Sequence, residues 1–245
     1  MRLAKTLQHC ALLLAACCIA APACAGVFSV TPVRIFMSPR DRATAVTITN
    51  EGDDELVMQA DVYRWAQKPS GEDDLALSED LILSPPILKL APHARQVVRL
   101  ARVGPPPTDA QMTYRLVVRE VPEARKSAKD VQLQVALAFS LPVFITPPNL
   151  KRELQCSARR QSADALAVTC DNTGRVYAQP RSLELSLASG APLASRESAA
   201  YVLPGIKRSY ELHAAPGATI PAGTLKLAVT FDDGTTQGYD LSVPE

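Results

Sequence analysis

The sequence predicts an all-β protein of two sandwiches, and three observations carry that expectation. Short alternating apolar segments recur along the length of the chain, separated by turn residues. No segment above about ten residues holds a convincing helical period. Proline, at 20 of 245 residues, is spread among the breaks between segments. Many short strands at such spacing indicate sandwiches rather than a parallel α/β sheet.

In order, the predicted strands of the first half cover 27–37, 43–50, 55–67, 81–90, 94–103 and 112–122. The segment 68–80, KPSGEDDLALSED, reads as a polar loop, and APH and GPPP break the chain between later strands. A charged loop, PEARKSAKD at 122–130, leads into VQLQVALAFSLPVFI at 131–145. There Val131, Leu133, Val135, Leu137, Phe139, Leu141 and Val143 form an unbroken period-two stripe, while the other phase is small or polar up to Ser140. At about 3.3 Å per residue such a strand runs roughly 50 Å. A compact domain of about 120 residues is only ~35 Å across, from its radius of gyration. Part of the stripe is therefore expected to lie beyond what its own domain covers, where an apolar strand is either a hazard or a binding surface.

Thr146-Pro147-Pro148-Asn149 closes that strand and is the expected boundary between a first domain at 26–147 and a second at 148–245. The second half repeats the texture, with strands expected at 151–158, 165–170, 181–188, 208–214, 224–232 and 236–243. Cys156 and Cys170 lie symmetrically about Ala163, inside the polar turn RQSAD. A hairpin there sets the two cysteines opposite each other at about 4.5–5.5 Å between Cα atoms, within disulfide range. The pair reads as a structural staple, since no CxxC-like arrangement or activated thiolate is visible.

Residues 1–25 read as a secretory signal peptide: Arg2 and Lys5, an apolar stretch from Ala11 to Ala21, and Ala23-Cys24-Ala25 for cleavage. A lipoprotein signal ending at Cys17 is a second processing reading. Four of the six cysteines fall in the signal, leaving an even pair for an oxidising compartment. Without Arg2 and Lys5, 24 of the 26 basic residues remain against 25 acidic ones, a net charge of −1. Nothing in that balance attracts nucleic acid or an anionic membrane. The mature part has only two histidines, His93 and His213, in different expected domains. It has no nucleophile elbow, zinc-protease motif, phosphate loop or dinucleotide fingerprint. The sequence therefore argues for a binding protein, not an enzyme, with no metal or cofactor.

PVRIFM, VTITNEGDDELVMQADVYRW, LILSPPILKLAPHARQVVRL, YRLVVREVP and the long strand ending SLPVFITPP occur in a specific order. In this order they resemble the periplasmic chaperones of the chaperone–usher pathway that assemble pili. The likeness covers about 27–150, and the spacing and the SLPVF ending are closer to the archaic, spore-coat-U-like branch. The resemblance implies two immunoglobulin-like sandwiches in an L- or boomerang-shaped arrangement. It implies pilus subunits held in the cleft by donor-strand complementation and delivery to an outer-membrane usher. Matched residue by residue, the donor strand is Val131, Leu133, Val135, Leu137 and Phe139. The family also anchors the subunit's C-terminal carboxylate with basic residues. Arg34 matches the first-strand arginine, and it interrupts what reads as an apolar phase of Phe28, Val30 and Phe36. The better-known branch has a lysine where this chain has Pro142, so Arg115 is the candidate replacement, with Arg119 behind it. Each of these arginines can instead belong to a structural ion pair. Glu120 and Asp232 resemble acids of an interdomain salt-bridge network whose arginine is replaced here by Thr146. The rival reading is a secreted or lipidated immunoglobulin-like adhesive or structural module that binds through its loop tips. The near-zero charge does not oppose self-association of the client-free protein through its apolar strand, and the sequence leaves that open.

Overall fold

The computed structural model describes residues 28–122 and 136–244 and forms them into seventeen strands, with no helix among the described residues. The first sandwich sets β1 (Phe28–Thr31), β3 (Ala43–Asn50), β8 (Arg95–Arg102) and β6 (Leu81–Ser84), in the order β1-β3-β8-β6, against a second sheet. That sheet runs β2 (Ile35–Met37), β10 (Ala138–Ile145), β9 (Met112–Glu120), β4 (Leu56–Gln67) and β5 (Asp73–Leu77). A further strand, β7 (Ile87–Leu90), pairs with the first part of β4. The second sandwich packs β11 (Leu154–Arg160), β12 (Ala165–Asn172) and β15 (Lys207–His213) against β14 (Pro192–Glu197), β13 (Pro180–Ser186), β16 (Gly223–Phe231) and β17 (Thr236–Val243). Both are immunoglobulin-like β-sandwiches, each with its own core.

Period-two patterning explains most of these strands. Along β4, Leu56, Met58, Ala60 and Val62 are buried, with intermediate residues between them, the pattern of a strand with one face on a core. The expected single strand at 27–37 is two strands in different sheets. Phe28 and Val30 face the core from the first sheet, and Ile35 and Met37 face it from the second. Arg34 and Phe36 therefore point outward together, and Arg34 does not interrupt the inward phase of Phe28 and Val30. The segment 81–90 divides in the same way into β6 and β7 around Pro85 and Pro86. Within the expected polar loop at 68–80, residues 73–77 form β5, held to β4 through Tyr63–Gln67. All of β5 is exposed, so it carries no burial pattern that a sequence reading can detect. The same holds for β14, an edge strand with no buried position.

Cys156 and Cys170 form a disulfide across β11 and β12, at the hairpin register expected about Ala163, with Cα atoms 4.1 Å apart. Each sandwich also carries a buried asparagine at the end of a strand, Asn50 on β3 and Asn172 on β12. The Asn50 side chain donates to the carbonyls of Asp54, Leu90 and Ala91 and accepts the Gly52 N–H. Asn172 repeats this with the carbonyls of Val176 and Val202 and the Gly174 N–H. Glycine is required at 174, because an added Cβ would come within 2.7 Å of the Glu153 backbone nitrogen. Such corners satisfy backbone groups where a strand leaves its sheet, and a buried group left without its partner costs about 1–3 kcal/mol.

Asn172→Ala strands three backbone groups at such a corner and is expected to lower unfolding stability by about 3 kcal/mol in urea titration. Reducing the Cys156–Cys170 bond reopens a loop of about 15 residues and is expected to lower it by about 3 kcal/mol as well. Equal urea midpoints with and without reductant would contradict the second expectation.

Candidate functional site

The site grows from the outward face of the sheet containing β10. Val143 and Ile145 fill the first core, and Phe144 points the other way yet is also fully buried. What covers it is the second sandwich. Phe144 stacks on Tyr177 at 4.1 Å between ring centroids and on Phe36 at 5.6 Å. Trp65, out of phase with the inward residues of β4, lies 6.0 Å from Phe144 and 5.2 Å from Tyr201. Leu203 completes this apolar cluster between the sandwiches.

Polar contacts fix the same junction. The Gln67 side chain donates to the Tyr201 carbonyl and accepts the Leu203 N–H. Gln111 donates its backbone N–H to the Arg175 carbonyl, and its side chain accepts the Tyr177 N–H. Arg208 donates to the Gly71 carbonyl at 2.7 Å, so the β4–β5 turn rests on the second sandwich.

Register brings the two candidate arginines together. Pro142 of β10 is directly opposite Arg115 of β9, and β2 runs parallel to β10 with Ile35 level with Val143. Arg34, one residue earlier, falls level with Pro142. The position where the family resemblance expects a lysine is thus flanked on both sides by an arginine. Both guanidinium groups lie against Tyr201, at 5.9 Å for Arg34 and 5.5 Å for Arg115. Arg115 also lies over Trp65 at 3.7 Å from the ring centroid, a cation–π contact that strengthens with desolvation.

Each arginine is already ion-paired. Arg34 donates to Asp232 at 2.6 Å, and the same carboxylate oxygen accepts the Tyr177 hydroxyl at 2.9 Å. Arg115 meets Asp73 of β5 at 3.3 Å, and Gln67 donates to the other oxygen of Asp73. Burial works against the charge of Arg34, but Tyr201, Asp232 and Tyr177 outweigh it and the net shift of its pKa is upward. Around the more enclosed Arg115 desolvation wins over Asp73 and Tyr201, and the shift is downward. Both remain cations, since guanidinium groups titrate far above neutrality. Asp232, expected in an interdomain network, does bridge the sandwiches, with Arg34 as its partner. Thr146 stands outside that pair and accepts from Gln111 at 2.7 Å. Arg119 pairs with Asp61 and donates to the Tyr63 hydroxyl. Glu120 stands at the end of β9, level with Met58, where its N–H donates to the Leu137 carbonyl.

Of the donor-strand candidates, Leu137 and Phe139 lie in the described part, and Val131, Leu133 and Val135 lie outside it. Exposure rises along the stripe from 0% at Val143 and 4% at Leu141 to 40% at Phe139, and Leu137 beyond it is again intermediate. Phe139 leans edge-on against Phe28 at 4.9 Å, and Leu137 is partly buried against the first core. The edges of β10 divide at the same point. β9 pairs with the strand throughout, whereas β2 reaches only Val143–Ile145. Among the described residues, Ala138–Pro142 has no strand on its second side.

Residues 27–151 match the family described as pili and flagellar-assembly chaperone, PapD N-terminal domain. The chain belongs to this chaperone family. It is 32% identical over 124 residues to the uncharacterized fimbrial chaperone YbgP of Escherichia coli (strain K12), 49% of either chain. It is 30% identical over 126 residues to the chaperone protein PmfD of Proteus mirabilis (strain HI4320), covering 50% of this chain and 46% of that one. The chain spans about half the length of the curated relatives it matches. Among solved structures it is similar to the CsuC–CsuE chaperone–tip adhesion subunit pre-assembly complex from archaic chaperone-usher Csu pili of Acinetobacter baumannii. That match has a TM-score of 0.61 at 21% identity, over 90% of this chain and 100% of that one. The chaperone DraB of E. coli matches with a TM-score of 0.57 at 19% identity, over 89% of this chain and 96% of that one. At such identities the likeness speaks for the fold, and it extends over both sandwiches. The family is one of chaperones, not of enzymes.

Of the residues at the junction, Trp65, Tyr177, Tyr201 and Asp73 were not singled out from the sequence as site residues. Trp65 alone left a signal there, as the largest side chain of its strand in the outward phase. Phe144→Ala is expected to cost about 3–5 kcal/mol as a deleted buried aromatic. It should also split calorimetric unfolding into two transitions, one per sandwich. A single transition at the wild-type temperature would show that the aromatic cluster does not couple them.

Proposed function

We propose that this protein is a periplasmic chaperone of the archaic chaperone–usher branch that holds pilus subunits by donor-strand complementation and passes them to an outer-membrane usher. The observation that carries the reading is the half-paired β10. One end is paired on both edges and buried on both faces, one against the core of the first sandwich and the other against the second sandwich. The other end, Ala138–Pro142, offers backbone donors and acceptors to a strand that is not part of the described chain. An added strand gains main-chain hydrogen bonds along such an edge and side-chain pockets at alternate positions. The apolar stripe is 40% exposed at Phe139, keeps only a partial hold on the first core at Leu137, and continues in the sequence through Val135, Leu133 and Val131. Burying each large side chain contributes about 1.5–3 kcal/mol, so four or five supply the scale of a strong contact before ordering costs.

Arg34 and Arg115 support the same reading from the other end of the strand. They flank β10 where its free edge meets the second sandwich, and planar guanidinium groups suit a carboxylate. A subunit seated there with its C-terminal carboxylate between them would run its last strand along Ala138–Pro142. The relatives fit as well: YbgP is named a fimbrial chaperone, and a solved relative of Salmonella enterica, the chaperone SafB, is in complex with the pilin SafA. Neither nucleotide nor metal enters this reading.

The test is co-expression in a periplasm with a candidate pilin from the same genome. The wild-type chain is expected to yield a soluble one-to-one complex. Val135→Asp and Leu137→Asp should each abolish recovery of the pilin while the chaperone remains folded. Wild-type yields of complex from both variants would overturn the donor strand. A pilin that is soluble without this chain would overturn the chaperone reading itself.

A further inference from the structure

Tyr201 comes from the second sandwich, between β14 and β15. Its ring is edge-on to Trp65 and also meets Phe144 and Tyr177, at 5.9 and 5.4 Å, which holds the side chain in one place. Both arginines rest against that ring. The hydrogen-bonding balance around it is uneven. Asp232 already serves Arg34 and Tyr177, and Asp73 already serves Arg115 and Gln67. Donors remain unmatched. The Arg115 Nε and Trp65 Nε1 groups are buried without a partner. The Tyr201 hydroxyl meets no protein partner among the described residues.

Unmatched donors around two cations call for an acceptor, and a carboxylate brings two oxygens with about four lone-pair sites. We propose that the Tyr201 hydroxyl is a third binding group for the client's terminal carboxylate, donating to it alongside Arg34 and Arg115 in the row of Pro142. This rests on the anchor reading of those two arginines. It makes the second sandwich a direct part of client recognition, and Asp73 and Asp232 become positioning residues that hold each guanidinium toward Tyr201. Burial raises the hydroxyl's pKa above the ordinary tyrosine value, with Arg34 and Arg115 pulling the other way. The group therefore keeps its proton at neutral pH and acts as a donor.

Tyr201→Phe tests the proposal, because it removes the hydroxyl and keeps the ring on Trp65 and Phe144. The probe is a hexapeptide of alternating valine and threonine with fluorescein on its N-terminus, made once with a free C-terminal carboxylate and once as the amide. Its binding to the full chain is measured by fluorescence anisotropy. The wild-type protein is expected to prefer the carboxylate form. Tyr201→Phe should lose about tenfold in affinity for that form and nothing for the amide, as expected for one hydrogen bond to a charged acceptor. A variant that keeps the wild-type ratio between the two forms overturns the role of Tyr201 and leaves the arginine anchor standing. A wild-type protein that takes both forms alike, or neither, overturns the anchor and Tyr201 together.

Discussion

Phe144 is fully buried on the face of β10 opposite to Val143 and Ile145, and the architecture of the cleft follows from that double burial. A strand buried on both faces must be covered from both sides, so the second sandwich has to dock on the end of β10. Docking there gives Trp65 a partner and gathers Tyr177, Tyr201 and Leu203 around the same ring. Hydrophobic contact is non-directional, however, and would tolerate many angles between the sandwiches. The directional bonds remove that freedom. Gln67, Gln111, Arg208 and the Arg34–Asp232 pair each join a specific atom on one side to a specific atom on the other.

The free half of β10 is the complement of the buried half. β2 is only three residues long and Pro142 cannot donate a backbone hydrogen bond, so pairing on that side stops where the strand leaves the junction. The same strand is therefore rigid structure at Phe144 and open edge at Phe139, about five residues away. A strand held firmly at one end presents its free edge with little extra loss of entropy when another strand is added.

Much of this was legible in the sequence. The stripe from Val131 to Val143 located β10, whose strand begins at Ala138, since period two follows from backbone geometry alone; the expected length before residue 136 lies outside the described residues. The cysteine pair gave the β11–β12 register because symmetry about a turn fixes who faces whom. Residues joined across the fold were harder to read. Arg34 was matched by family likeness, but its partner Asp232 is 198 positions away, and no local pattern links the two. Tyr201 and Tyr177 lie in segments without alternation. β5 escaped notice because an exposed edge strand needs only backbone bonds to β4 and leaves no apolar signature. The buried corners of Asn50 and Asn172 did leave one. Each is an asparagine ending a strand with glycine two positions later, a repeat that marks equivalent points in the two halves.

The Cys156–Cys170 bond has a mechanical consequence. β10 ends at Ile145 and β11 begins at Leu154, so any tension that pries the sandwiches apart enters the second one through the first residues of β11. β11 is an edge strand zipped only to β12, the arrangement that peels one hydrogen bond at a time. Cys156 is the third residue of that strand. Peeling started at the linker is stopped there by a covalent rivet, and load passes directly into β12, which is paired on both sides. The edge seam of the second sandwich is thus shielded from tension that enters through the joint.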